Sequence, residues 1–273
     1  MSESESEPRD EGIPRPPDEV VDKLRVFIHP SSFALASAAA EEAAEVLRGA
    51  VEARGVAHAM FATGNSQLEF TQALVAGGME IPWHRVVVFH MDEYVAIPPD
   101  HPAGFAKWIR ERIVEVVRPL RSYLIDSGAD PADECQRYSD LLVENPLDLC
   151  CLGIGENGHL AFNDPPGADL NDPLSVRVVT LEESCRLQQV NEGHFPDISS
   201  VPAQAITVTI PGLLSAERVV AVVPEGRKAQ PVARSLRGPI SSECPASALR
   251  TKVGASLHLD PSSGSLLELP GTA

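Results

Sequence analysis

With 273 residues, 43% of them apolar, the chain is long enough to bury a full core and has the size of one large α/β domain or of a domain with an appendage. Lys and Arg number 22 against 39 Asp and Glu, a net charge of −17 that argues against nucleic acid or an anionic membrane surface as partner. No apolar run approaches the roughly 18 residues of a membrane span, and the acidic N-terminus lacks a secretory pattern, so the expected location is cytoplasmic.

Residues 1–20, rich in Ser, Glu, Asp and Pro, have almost nothing to bury and read as a disordered acidic leader. Hydrophobic patterning then predicts a strand at 23–29, a helix at about 35–53, a strand at 56–63, a helix at 67–76, a strand at 85–91 and a helix at about 103–117. After a polar stretch come a helix at 132–144, a strand ending at Ile154, and extended segments at 176–181, 205–210 and 218–224. A helix from about 226 and a strand at 254–260 complete the pattern. Strands separated by helices imply an α/β, doubly wound, mainly parallel sheet with helices on both faces. One domain spans 21–262, and residues 263–273 read as a flexible tail. The five cysteines (Cys135, Cys150, Cys151, Cys185, Cys244) show no metal-ligand spacing and read as reduced core residues.

Open parallel sheets bind ligands beyond the carboxyl ends of their strands, and polar clusters stand at four such ends here. Thr63, Gly64, Asn65 and Ser66 follow the strand at 56–63. They bring hydroxyls and backbone N–H groups to a helix start, a combination suited to phosphate; an ordinary N-cap by Asn65 or Ser66 is the alternative. Asp92 and Glu93 follow the strand at 85–91, where partial desolvation would make one carboxylate a usable base and alternation turns only one toward a pocket. A turn-capping Asp is equally compatible with that position.

His159 lies in the glycine-rich loop after the run ending at Ile154, with Asp164 five residues on to orient its ring. Gly153, Gly155 and Gly158 serve either this chemistry or only the backbone's need for positive φ and close approach. Lys228 opens a helix after 218–224. It supplies a point charge for a phosphate, or is an ordinary exposed lysine at a helix start.

The segments VVVFHMDEYVAIPPDHPAGFAKWI (86–109), CLGIGENGHLAFNDPP (151–166) and VPAQAITVTIPGLLSAERVVAVVPEGRKAQPV (201–232) resemble glucosamine-6-phosphate deaminases (isomerases), relatives of the 6-phosphogluconolactonases. The likeness runs from about residue 30 to residue 260. It implies a Rossmann-like fold and conversion of glucosamine 6-phosphate to fructose 6-phosphate and ammonia, in amino-sugar catabolism. By this resemblance Asp92 moves a proton between C2 and C1, and His159 opens the pyranose ring. Asp164 supports the histidine where the best-studied members carry glutamate, and Asn157 stands where they carry aspartate.

The same resemblance places Thr63, Gly64, Asn65, Ser66 and Lys228 on phosphate-binding positions. The family's phosphate-binding arginine has no clear counterpart in the stretch from Cys185 to Phe195, which carries Asn191, Glu192 and His194; Arg186 is not assigned the role. No metal or organic cofactor is implied. The partner is a small-molecule amino-sugar phosphate, with no nucleic acid and no membrane, and with homo-oligomer formation left open. Activation by an allosteric sugar phosphate is not expected. The alternatives are a 6-phosphogluconolactonase-type hydrolase and a non-catalytic sugar-phosphate sensor domain.

Overall fold

The computed structural model describes residues 16–191 and 193–267. Its first half contains β1 (Glu19–Val21), β2 (Leu24–Ile28), α1 (Ser32–Arg54), β3 (Ala57–Phe61), α2 (Leu68–Val75), β4 (Val86–His90), β5 (Asp92–Tyr94), α3 (Phe105–Ile109), α4 (Glu115–Val117), β6 (Arg121–Tyr123) and α5 (Pro131–Glu144). Then follow β7 (Leu149–Leu152), β8 (Val176–Thr180), α6 (Glu183–Asn191), β9 (Gln204–Val208), α7 (Ile210–Leu214), β10 (Arg218–Val223), α8 (Ala229–Arg237) and β11 (Ala255–Leu259).

The main sheet runs β1-β2-β11-β10-β7-β3-β4-β6 and is parallel except where β1 pairs with β2. Successive strand residues face opposite sides, which sorts the apolar runs into two cores. Val86, Val88, Leu149, Cys151, Val220 and Val222 pack under α1 and α2, whereas Val87, Phe89, Cys150, Leu152, Val219 and Ala221 pack with Leu213, Val232 and Leu236 on the other face. Burial on both sides is why these strands read as continuous apolar segments.

The buried face of α1 is mostly alanine (Ala36, Ala39, Ala40, Ala43, Ala44), which lets the helix lie close to the sheet. Ser31 caps the helix by accepting the Ala34 N–H, and Gly55, at φ 78°, ends it. Beneath α1, Glu42 accepts hydrogen bonds from Arg25 at 2.6 Å and Arg218 at 3.0 Å and lies 3.0 Å from His258 Nε2. Burial opposes its ionisation, but the hydrogen bond and charge of His258, with Arg25 and Arg218, hold the carboxyl down at about 2.

The chain builds outward from β3 through β4 to β6, then returns to build from β7 through β10 to β11, so its direction reverses between β3 and β7. That switch point opens a crevice beyond the strands' carboxyl ends.

Several sequence expectations change at their edges. A separate antiparallel sheet, β5-β9-β8, takes up two of the extended segments, which pattern alone does not distinguish from main-sheet strands. β6 lies unannounced in the polar stretch, its first two residues exposed at the sheet edge. The helix expected at 103–117 is α3 and α4 joined by a π-helical turn at Arg110–Val114. The leader expected to reach residue 20 instead contributes β1, because Val20 and Val21 extend the β2 edge; residues 1–15 lie outside the described residues. At the other end Ser263 is buried and bonded to Asp260, so the tail's start is packed, and 268–273 lie outside the described residues. Cys150, Cys151 and Cys244 are buried and free, Cys135 is free and half-buried, and the Cys185 side chain lies outside the description. Among the described residues no helix is long and apolar enough to cross a membrane.

Candidate active site

Four loops from the carboxyl edge of the main sheet converge on one cavity. Its lining includes Thr63, Gly64, Asn65, Ser66, Asp92, His159 and Lys228. After β3, Gly64 takes φ 102° and starts a tight turn over Asn65–Gln67 that leads into α2. Neither Asn65 nor Ser66 caps this turn, so the capping alternative fails here. Gln67 is buried and donates to Val222 O at 3.0 Å and Ser66 Oγ at 3.2 Å, fixing the loop to β10. After β10, Lys228 ends the turn Gly226–Lys228 and is only 6% exposed. An ordinary exposed lysine does not describe it.

Between these two turns, after β7, the histidine loop is held by a closed set of hydrogen bonds. His159 Nδ1 lies 2.9 Å from Asp164 Oδ1, an arrangement in which the carboxylate accepts Nδ1–H and leaves Nε2 for chemistry. Asn157 Oδ1 accepts the His159 N–H at 3.0 Å, and its Nδ2 donates to the same Asp164 oxygen at 2.8 Å. Asn157 and Asp164 therefore stand behind the imidazole and do not line this cavity. The loop is tied to β9 where Asn163 Nδ2 donates to Val208 O at 2.9 Å and Thr207 Oγ1 accepts the Phe162 N–H at 3.1 Å.

Glycine is required at Gly155, because a Cβ there would stand 2.2 Å from His159 Nε2. It is required again at Gly158, where φ is 94° and a Cβ would meet Cys244 Sγ at 2.8 Å. The imidazole thus lies directly on bare backbone.

Asp92 faces the cavity, whereas Glu93 points the other way, as strand alternation predicts. Burial pushes the Asp92 carboxyl well up, and the charges of Glu93 and Asp164 add to the shift. Such a carboxylate, once ionised, is a stronger base than one in water.

The cavity also has walls that the sequence reading does not assign. Pro102, Ala103, Gly104, Phe105 and Trp108 form one side, and Gln189 and His194 come from α6 and the turn after it. Arg227 also lines it, reaching Glu156 Oε1 at 2.9 Å and Glu225 Oε2 at 2.5 Å. Arg186 instead donates to Ile198 O and Val201 O, a structural task, and Glu192 lies outside the described residues. Among the described residues no group of three or more His, Cys, Asp or Glu is placed to hold a metal ion.

The family model of glucosamine-6-phosphate isomerases/6-phosphogluconolactonase matches residues 30–258. The chain belongs to this family. Glucosamine-6-phosphate deaminase of Lactobacillus delbrueckii subsp. bulgaricus is 32% identical across 85% of this chain and 97% of its own length. That of Exiguobacterium sibiricum is 35% identical over 67% of this chain and 71% of its own. A solved monomeric glucosamine-6-phosphate deaminase superposes with a TM-score of 0.81 at 28% identity, covering 89% of this chain and all of that one. A 6-phosphogluconolactonase from Shewanella baltica shares the fold, with a TM-score of 0.70 at 16% identity over 89% of this chain and 99% of its own. The isomerase/lactonase family thus brackets two chemistries on one fold, and the residues at the cavity must choose between them.

Proposed function

We propose that this protein converts glucosamine 6-phosphate and water to fructose 6-phosphate and ammonia. The observation that carries the reading is the meeting of Asp92, the His159–Asp164 pair and Lys228 at one cavity. The N–H and hydroxyl groups of Thr63–Ser66 with the Lys228 ammonium hold the phosphate. His159, oriented by Asp164 and Asn157, transfers a proton from O1 to O5 and opens the ring.

Asp92 then takes the proton from C2 while O1 gains one from the solvent, giving an enolamine, and delivers its own proton to C1. The nitrogen is left doubly bonded to C2. Water adds there, ammonia leaves, and the ketose remains. Lactone hydrolysis needs no proton shuttle at carbon and would leave the desolvated Asp92 carboxyl without a task.

The purified protein is to be assayed on glucosamine 6-phosphate, galactosamine 6-phosphate and 6-phosphogluconolactone, with ammonia, ketose phosphate and acid release followed separately. Ammonia and fructose 6-phosphate in equal amounts are expected. Turnover of the lactone alone, or of none of the three, would reject the proposal.

A further inference from the structure

The strand that carries Asp92 also holds one wall of the cavity. Glu93 is 2% exposed, and its carboxylate accepts three backbone N–H groups: Tyr94 at 2.9 Å and Phe105 at 3.2 Å on Oε1, and Ala106 at 2.7 Å on Oε2. Two of these belong to the first turn of α3, whose N-cap Gly104 has no side chain with which to satisfy them. Phe105, with Pro102, Ala103, Gly104 and Trp108, forms one wall of the cavity. The next residue, Tyr94, places its ring 5.1 Å from Phe105, 5.2 Å from Phe162 of the histidine loop and 5.6 Å from Phe195. Three consecutive residues therefore face the substrate space, hold its wall, and join that wall to the histidine loop.

We propose that Glu93 is a positioning residue for the deamination: its carboxylate docks the wall at 102–108 over the substrate and stands one residue from the base Asp92, on which its charge acts. The inference rests on the function proposed above for its catalytic consequence, but the docking itself is independent of it. Burial pushes the Glu93 carboxyl up, against the three backbone N–H groups and the charge of Arg110, in the π-helical turn after α3, which pull it down. The charges that act on Asp92 are Glu93 and, from the histidine loop, Asp164, and the Tyr138 phenol on α5 also feels the Asp92 charge. Removing the Glu93 charge leaves Asp164 and the buried setting in place, so the effect on Asp92 is partial and has a definite sign.

Glu93→Gln keeps the shape but loses the charge and one acceptor oxygen. Its acid limb of kcat/KM against pH is expected to move to lower pH by about half a unit or more, because a like charge next to the base has gone. KM is expected to rise severalfold as the wall loosens. Glu93→Asp keeps the charge but falls short of α3, so it is expected to raise KM while leaving the acid limb near the parent position. Amide hydrogen exchange of Phe105 and Ala106 is expected to quicken in both variants.

An acid limb that stays put in Glu93→Gln, or exchange at Phe105 and Ala106 that does not change, overturns the proposal. If the parent turns over no amino-sugar phosphate, the functional reading fails, and the exchange measurement still decides whether Glu93 docks the wall. Should Glu93→Gln not fold, Glu93→Asp carries the docking test alone.

Discussion

The two sides of the cavity are built from opposite materials. On one, Thr63–Ser66 and Lys228 offer backbone N–H groups, hydroxyls and an ammonium on turns fixed to the parallel sheet. On the other, Asp92 on β5 and His159 on a loop tied to β9 line the cavity, and burial raises the Asp92 proton affinity, with the charges of Glu93 and Asp164 outside the lining adding to it. The first side suits a permanent anion and the second a moving proton. A chain of net charge −17 needs that separation, because an anionic substrate must be drawn by local donors against the overall field.

The sharpest way to break the comparison is Asp92→Asn. Turnover is expected to fall by at least ~10², with substrate affinity little changed. The same variant is expected to melt higher at neutral pH. The folded pKa of Asp92 is raised, so the folded state binds its proton more tightly than the unfolded chain does, and stability drains as pH rises above 3.8, the ordinary value of an aspartate. Unaltered turnover would remove Asp92 from the mechanism, and an unaltered melting temperature would remove its desolvation.

Gly155→Ala displaces the imidazole without touching the anion side. A rate loss of about tenfold to hundredfold is expected, with inorganic phosphate still bound when followed by calorimetry. Loss of phosphate binding as well would show that the two sides are not separable.

Lys228→Met is the converse change. KM is expected to rise about tenfold or more, as for a lost charge-assisted hydrogen bond, with the pH profile of kcat preserved. A shifted profile would place the ammonium in the proton chemistry.

The smallest effect on activity belongs to Glu42→Gln, at a position that does not line the cavity. The Glu42 carboxyl is held at about 2, below the ordinary glutamate value of 4.5, so its stabilisation is full above about 4.5 and is lost as pH falls toward about 2. Denaturant titration at pH 7 is expected to show a loss on the order of 3 kcal/mol, shrinking toward pH 3, with kcat unchanged. Equal stability of parent and variant at both pH values would deny the ion network its role.

Much of the main sheet was legible because each strand is buried on both faces and bounded by turn residues. Val86–His90 and Arg218–Val223 are found almost where their apolar runs lie. The sheet-end rule points to Asp92, His159 and Lys228, and all three line the cavity. What sequence could not carry is what depends on distant partners. Nothing local marks Glu93 as the cap of a helix that begins 12 residues later. Gln189 and His194 reach the cavity because of how α6 packs, and the half-buried pattern of Val176–Thr180 does not say which sheet the strand joins. Glu19–Val21 pairs as a strand only because β2 offers it an edge.

The seating of Lys228 in the cavity, at 6% exposure, bears on the protein's durability. Lys228 lines the cavity only as the chain folds, so a phosphate ester held there binds the folded chain and not the unfolded one. Saturation at a hundred times the dissociation constant adds about 2.7 kcal/mol by mass action. Heat resistance and survival against proteases should therefore rise and fall with the supply of sugar phosphate, making the protein longest-lived when there is most for it to bind.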